Sequence, residues 1–133
     1  NEATTSRSLF IDEDDRVAIG EVTFGTNNLY RFGVEGGIVC RDVKVTSNAF
    51  PDYVFQKDYE LLSLEAYENY IQENGHLPHI PSVAEVDANK GVELGDLQTK
   101  MLRTVEEQAL YILQLKKEVD QLRSEMDEMK RVK

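Results

Sequence analysis

The feature that most constrains this chain is an apolar repeat near its C-terminal end. Val105, Ile112, Val119 and Met126 fall at position a of a heptad, and Leu94, Met101, Gln108, Leu115, Leu122 and Met129 fall at position d. A seam held for about five heptads predicts a coiled coil rather than a lone amphipathic helix. Neither Pro nor Gly occurs from Asp96 onward. One helix is therefore expected from Leu94 to Lys133, roughly 60 Å long at ~1.5 Å per residue. A body built from the preceding residues is too small to cover such a seam, so other chains must do so.

The flanking charges give a direction. Glu118 at g faces Arg123 at e of a partner, and Glu125 likewise faces Lys130. Both pairs are opposite in sign when the strands run parallel and in register. Each is worth little alone at a surface; together they favour the parallel arrangement. The number of strands is less constrained. Val and Ile at a with Leu at d lean towards two. Leu97, Leu102, Ala109, Tyr111 and Leu113 widen the apolar face, which suits three strands or packing against the middle of the chain. Gln108 is a polar core position that can fix register.

Composition narrows the function classes. The chain has 133 residues and 15.2 kDa, the size of one domain, and its 41% apolar content argues against disorder over the whole length. A net charge of -10 disfavours nucleic acid, which needs clustered Lys and Arg, and an anionic membrane surface. No apolar run approaches the ~20 residues of a membrane span. The single cysteine, Cys40, excludes an intrachain disulfide framework. The chain opens on Asn1-Glu2 without an initiator methionine, as expected of a processed product or a piece of a longer protein.

The charge divides the chain into zones. Residues 50–96 carry two basic and ten acidic side chains, whereas residues 114–133 carry six and five. Three segments are expected: strands over 1–49, a small acidic helical unit over 50–93, and the coiled-coil helix over 94–133. The fold class is α+β. Residues 1–8 are polar and expected to fray. Leu9-Phe10-Ile11 and Val17-Ala18-Ile19-Gly20 read as strands around the acidic turn Asp12-Glu13-Asp14-Asp15. Val22 and Phe24 alternate with polar residues, Gly25-Thr26-Asn27-Asn28 is turn chemistry, and Tyr30, Phe32 and Val34 alternate again. Ile38 to Val45 alternate as a further strand. These short strands cannot enclose a core alone; they need another layer or other copies.

In the middle zone, Phe50-Pro51-Asp52 reads as a bend, with short extended pieces at Tyr53-Val54-Phe55 and Tyr59-Glu60-Leu61-Leu62. Ser63 is an N-cap for a helix from Leu64, and Gly75 is placed to end it. Ser82 with Glu85 forms a capping box for a second helix, ended at Asn89-Lys90-Gly91. The segment His76-Leu77-Pro78-His79-Ile80-Pro81 cannot be helical.

No chemistry-bearing motif stands out. The acidic turn lacks the central Gly of a calcium loop, and Arg16 stands where a ligand would be needed, so a solvated turn is favoured. His76 and His79 lack further ligands at metal spacing and read as packing or hydrogen-bonding groups. Cys40 has no placed base. Catalytic residues, metals and cofactors are accordingly expected to be none, and the chain is read as not an enzyme.

Several runs nevertheless carry a resemblance. Phe50-Pro51-Asp52-Tyr53-Val54-Phe55, Tyr59-Glu60-Leu61, Ser63-Leu64-Glu65, His76-Leu77-Pro78, Ile80-Pro81-Ser82, Leu94-Gly95 and Val105-Glu106-Glu107-Gln108-Ala109-Leu110-Tyr111 together resemble the C-terminal region of tail-fibre-like proteins of Bacteroidetes bacteria and their phages. Val17-Ala18-Ile19-Gly20 and Phe32 to Ile38 look like the β-repeat of the fibre neck before it. That region is similar in layout to the intramolecular chaperone, peptidase S74-like, of phage tail spikes. The resemblance implies a homotrimer, with a dimer as runner-up, in an extracellular fibre on a virion tail or a bacterial surface. It implies a non-catalytic trimerisation and folding module. The alternatives are an autoproteolytic intramolecular chaperone and a receptor- or glycan-binding fibre tip, for which Tyr53, Tyr59, Tyr67 and Tyr70 are the candidate aromatics.

Autoproteolysis in that family uses a Ser-Lys pair in a pattern like S-D-x-x-x-K. Aligned on Asp52, Pro51 stands at the serine position and Gln56 at the lysine position, with Lys57 one residue late. A proline has no hydroxyl to attack with. Intact-mass spectrometry after long incubation is expected to show one species; a cut within residues 50–57 would overturn this reading.

Overall fold

The computed structural model describes residues 9–24, 29–46 and 50–131. The expected frayed stretch 1–8, the turn at Gly25 to Asn28, and the last two residues of the expected helix lie outside them. The fold is a small α+β arrangement: three short strands in a mixed sheet, short helices, and one long C-terminal helix. The chain divides into two compact units, residues 1–44 and 45–133.

The first unit is organised by its sheet. Strands β1 (Phe10–Ile11) and β2 (Val17–Ile19) are antiparallel, with Phe10 opposite Ala18 and Ile11 opposite Val17. The turn between them is self-contained. Asp12 Oδ1 accepts the backbone N–H groups of Asp14 and Arg16, both at 3.0 Å, and Arg16 Nε donates to Asp12 Oδ2 at 2.7 Å. Desolvation works against the Asp12 carboxylate. The hydrogen bonds from Arg16 and Asp14, with the Arg16 charge, outweigh it and hold the group below its ordinary pKa. Asp15 closes the turn in the left-handed region at φ 58°.

The third strand departs from the expected alternating meander. Strand β3 (Phe32–Val34) pairs with β2 in parallel, with Ala18 opposite Gly33. A parallel partner has to be reached by a crossover, and the segment carrying Val22 and Phe24 forms part of it. These two residues form no strand. They pack on Gly33 instead: a Cβ there would lie 2.5 Å from Val22 Cγ1 and 3.0 Å from Phe24 Cε1. Ala18, at the centre of the sheet, is fully buried.

Ile38 to Val45, expected as a strand, forms none, and Ile38, Val39 and Val43 are exposed. Its residues alternate, but among the described residues no neighbouring strand supplies ladder partners.

The second unit begins with another departure. Asp52–Phe55 is a turn of 3₁₀ helix, not an extended piece. Pro51 has its φ near -80°, as the ring requires, and its carbonyl accepts the Val54 N–H at 2.9 Å. Pro51 and Val54 are the largest fully buried side chains among the described residues, so this turn plugs the unit against the long helix.

Helix α1 (Leu64–Asn74) starts where Ser63 Oγ accepts the Ala66 N–H at 3.1 Å and stops where Gly75 turns left-handed at φ 71°. Helix α2 (Val83–Asn89) carries the full capping box. Glu85 N–H donates to Ser82 Oγ, and Ser82 N–H donates to Glu85 Oε2 at 2.7 Å. Helix α3 (Leu94–Arg131) runs unbroken for 38 residues, about 57 Å at ~1.5 Å per residue. No helix of the described residues is long and apolar enough to cross a membrane.

Gly33→Val forces Val22 and Phe24 off the sheet, and overpacking of this kind costs roughly 1–3 kcal/mol. Gly37, where an added Cβ meets nothing within 4 Å, is the control. Denaturant melts should show Gly33→Val well below the parent and Gly37→Val close to it. Equal midpoints would remove the packing role given to Val22 and Phe24.

Candidate functional site

Helix α3 has two faces with different partners. One is covered by the chain's own middle segment. Thr104, Glu107 and Tyr111 are buried there, with Arg103 beside them. At ~100° per residue this stripe lies roughly 100° around the helix from the a/d seam. Sequence periodicity left open whether Tyr111 widens the seam or packs on the middle zone; it packs on the middle zone.

The covered face is polar. The Tyr59 hydroxyl donates to Glu107 Oε1 and accepts from Arg103 Nε at 3.1 Å and Nη2 at 2.9 Å. Arg103 Nε also reaches Glu107 Oε1 at 3.0 Å, and His79 Nε2 lies 3.6 Å from the same oxygen. The Arg103 guanidinium sits over the rings of both Tyr53 and Tyr59 at under 6 Å. One turn further on, the Tyr111 hydroxyl donates to the Leu62 carbonyl at 2.9 Å, and its ring meets Tyr67 edge-on at 5.3 Å. A carboxylate as buried as Glu107 is tolerable only with such partners.

The surroundings shift several groups. Burial, then the Glu107 hydrogen bond, raises the Tyr59 hydroxyl. Burial, then the Glu107 charge, pushes Tyr111 up to about 12. Burial lowers His79; the Arg103 and Lys100 charges lower it further, and Glu107 opposes them. His79 is held in this network by left-handed backbone at φ 68°, between Pro78 and Pro81. Sequence reasoning read His79 only as a packing or hydrogen-bonding group and did not find the Tyr59–Arg103–Glu107 network. The available signal was Arg103 and Glu107 spaced i, i+4 on a stripe away from the seam.

The seam is the opposite case. Leu94, Met101, Val105, Ile112, Leu115, Val119, Leu122, Met126 and Met129 are all exposed within the single chain, Ile112 to 65%. Gln108 among them is exposed as well. The charges that border the seam are exposed and form only local bonds. Gln114 donates to Glu118 at 3.1 Å, Gln121 donates to Glu125 at 2.8 Å, and Lys130 lies 4.0 Å from Asp127. Arg123 is also on the surface. All four side chains of the interchain pairs expected from the sequence are therefore on the surface of the single chain.

The remaining candidates are placed as follows. Pro51 is fully buried, while Gln56 and Lys57 are exposed. Of the aromatics considered for a glycan platform, Tyr53 lies under Arg103, Tyr59 and Tyr67 are engaged as above, and Tyr70 packs edge-on against His76 at 5.6 Å. Cys40 is exposed. Among the described residues no three His, Cys, Asp or Glu side chains come together as a metal site.

The chain matches no protein-family model, no curated protein and no solved structure.

The His79 shift has a pH consequence. A folded pKa below the ordinary His value means that the fold resists protonation. Stability is then full above the unfolded pKa, near 6.5, and falls as pH drops below it towards the folded value. His79→Asn keeps a residue that tolerates the left-handed region and removes the titration. Thermal melts between neutral and mildly acidic pH should fall more steeply for the parent than for His79→Asn. Parallel curves would show that burial and the neighbouring charges do not disfavour the protonated His79 ring in the fold.

Proposed function

We propose that this chain is a non-catalytic trimerisation and folding module at the C-terminal end of a fibre-like or surface adhesin protein. One observation carries the reading: a 38-residue helix whose own chain covers one face and leaves the whole a/d seam in solvent. So long an apolar stripe on an isolated chain is a demand for partners. The charged g and e positions support parallel, in-register strands. The choice of three over two, and the setting on a phage tail or bacterial surface fibre outside the cell, rest on the resemblance to tail-fibre C-terminal regions.

The mechanism is entropic. Three long chains that must pair along their length face a large loss of freedom in finding each other and a common register. A terminal coiled coil makes the meeting once and holds the upstream segments at high effective concentration. Gln108, a polar residue in an otherwise apolar seam, penalises shifted registers, because only the matched layer lets the amides satisfy one another.

Light scattering is expected to give three times the 15.2 kDa chain mass. A single-chain mass would sink the proposal; a doubled mass would keep the coiled coil and refute the trimer. Ile112→Asp is a sharp probe, since Ile112 is 65% exposed within one chain and the substitution costs an isolated chain little. In an assembly it buries like charges in one layer, each costing several kcal/mol. Sedimentation should show that variant dissociated, and Gln114→Asp, at an outward position, assembled as the parent.

A further inference from the structure

Beside the start of the seam lies a largely apolar groove of about 280 Å³, walled by Val45, Phe50 and Pro51 on one side and by Gly95, Gln98, Thr99 and Leu102 of α3 on the other. Phe50 stands at its edge, 70% exposed. Val45 sits so close to the helix that a Cβ on Gly95 would lie 2.7 Å from its Cγ1. In the heptad frame Gly95 and Leu102 are both e positions, so the groove opens on the flank of α3 that a parallel neighbour meets.

We propose that this groove receives the Leu97 edge of a second copy of the chain, so that the interface between copies spreads from the helical seam onto the segment around Phe50. The inference rests on the parallel coiled coil proposed above. The rule that brings Glu118 to Arg123 and Glu125 to Lys130 joins each g position to the e position five residues on in the neighbour. Applied to the start of the helix, it joins Leu97 to Leu102.

The flanking residues change character along α3 in step with this. The e positions run Gly95, Leu102, Ala109 and then Lys116, Arg123, Lys130; of the uncharged g positions before Glu118 and Glu125, Thr104 and Tyr111 are buried by their own chain, and Leu97 keeps exposed surface. Charged flanks belong to a narrow two-sided seam in water. Uncharged flanks belong to a wider interface from which water is excluded. The a position at this level is Gln98, exposed and polar, so the seam itself supplies little apolar contact there. The apolar surface has moved sideways, to Leu102 and the groove. Leu97 is only half-buried by its own chain, which leaves it surface to offer.

The test mixes chains labelled with ¹³C at their methyl groups with unlabelled chains and records filtered, interchain nuclear Overhauser contacts. Contacts are expected at Ile112 and Leu115 in the seam and also at Val45 and Leu102 in the groove. Contacts in the seam but not in the groove would overturn this inference and leave the coiled coil standing. Contacts in neither would remove both. Phe50→Ser supplies a second readout. Because Phe50 is exposed in the single chain, the variant should keep its helical signal at high concentration while its midpoint for dissociation rises at least about tenfold, roughly the effect of one lost interface anchor. An unchanged midpoint would count against the groove as an interface.

Discussion

Glu107 is a carboxylate turned inward on a long helix, and the burial of that one charge dictates how the second unit is put together. Arg103 arrives from the same helix one turn earlier, Tyr59 from the segment before α1, and His79 from the loop between two prolines. Neither Arg103 nor Tyr59 could be removed without leaving the buried Glu107 carboxylate short of a donor, which costs more than the pair contributes when intact. The network therefore acts as a key for one docking arrangement: when α3 presents this stripe to the body, Glu107 meets both Arg103 and the Tyr59 hydroxyl. Once that stripe is committed, the a/d seam has nowhere to go except outward.

The parts of this architecture that were legible in the sequence are those written locally. Ser63 and Gly75 bracket α1, and Ser82 with Glu85 opens α2, because caps satisfy orphan backbone groups from within a few residues. The absence of Pro and Gly after Asp96 is enough to specify one unbroken α3. The parts that were not legible depend on partners far away in the chain. Nothing near Phe32 says that its neighbour is β2 in parallel, and Val22 and Phe24 alternate like a strand while serving as a lid on Gly33. Tyr53-Val54-Phe55 carries strand-forming residue types, yet Pro51 and the burial of Val54 wind it into a 3₁₀ turn.

The site shows the same division. Heptad spacing picked out a stripe of residues that the single chain leaves exposed, since periodicity is a property of the sequence itself. It could not separate Arg103–Glu107 from Lys116–Asp120, two i, i+4 ion pairs of the same sequence form. One is buried beneath Tyr59 and the other lies in water, and the difference is made by what packs on the helix, not by the helix.

The order of these segments along the chain has a consequence for synthesis. The docking residues of α3, from Arg103 to Tyr111, leave the ribosome after the body they grip and before the second half of the seam. The residues that grip the body thus precede Val119, Leu122 and Met126 in order of emergence. In the assembly proposed above, that order would let each copy fold on itself before the full stripe is offered to another, a sequence of events set by the position of one buried network.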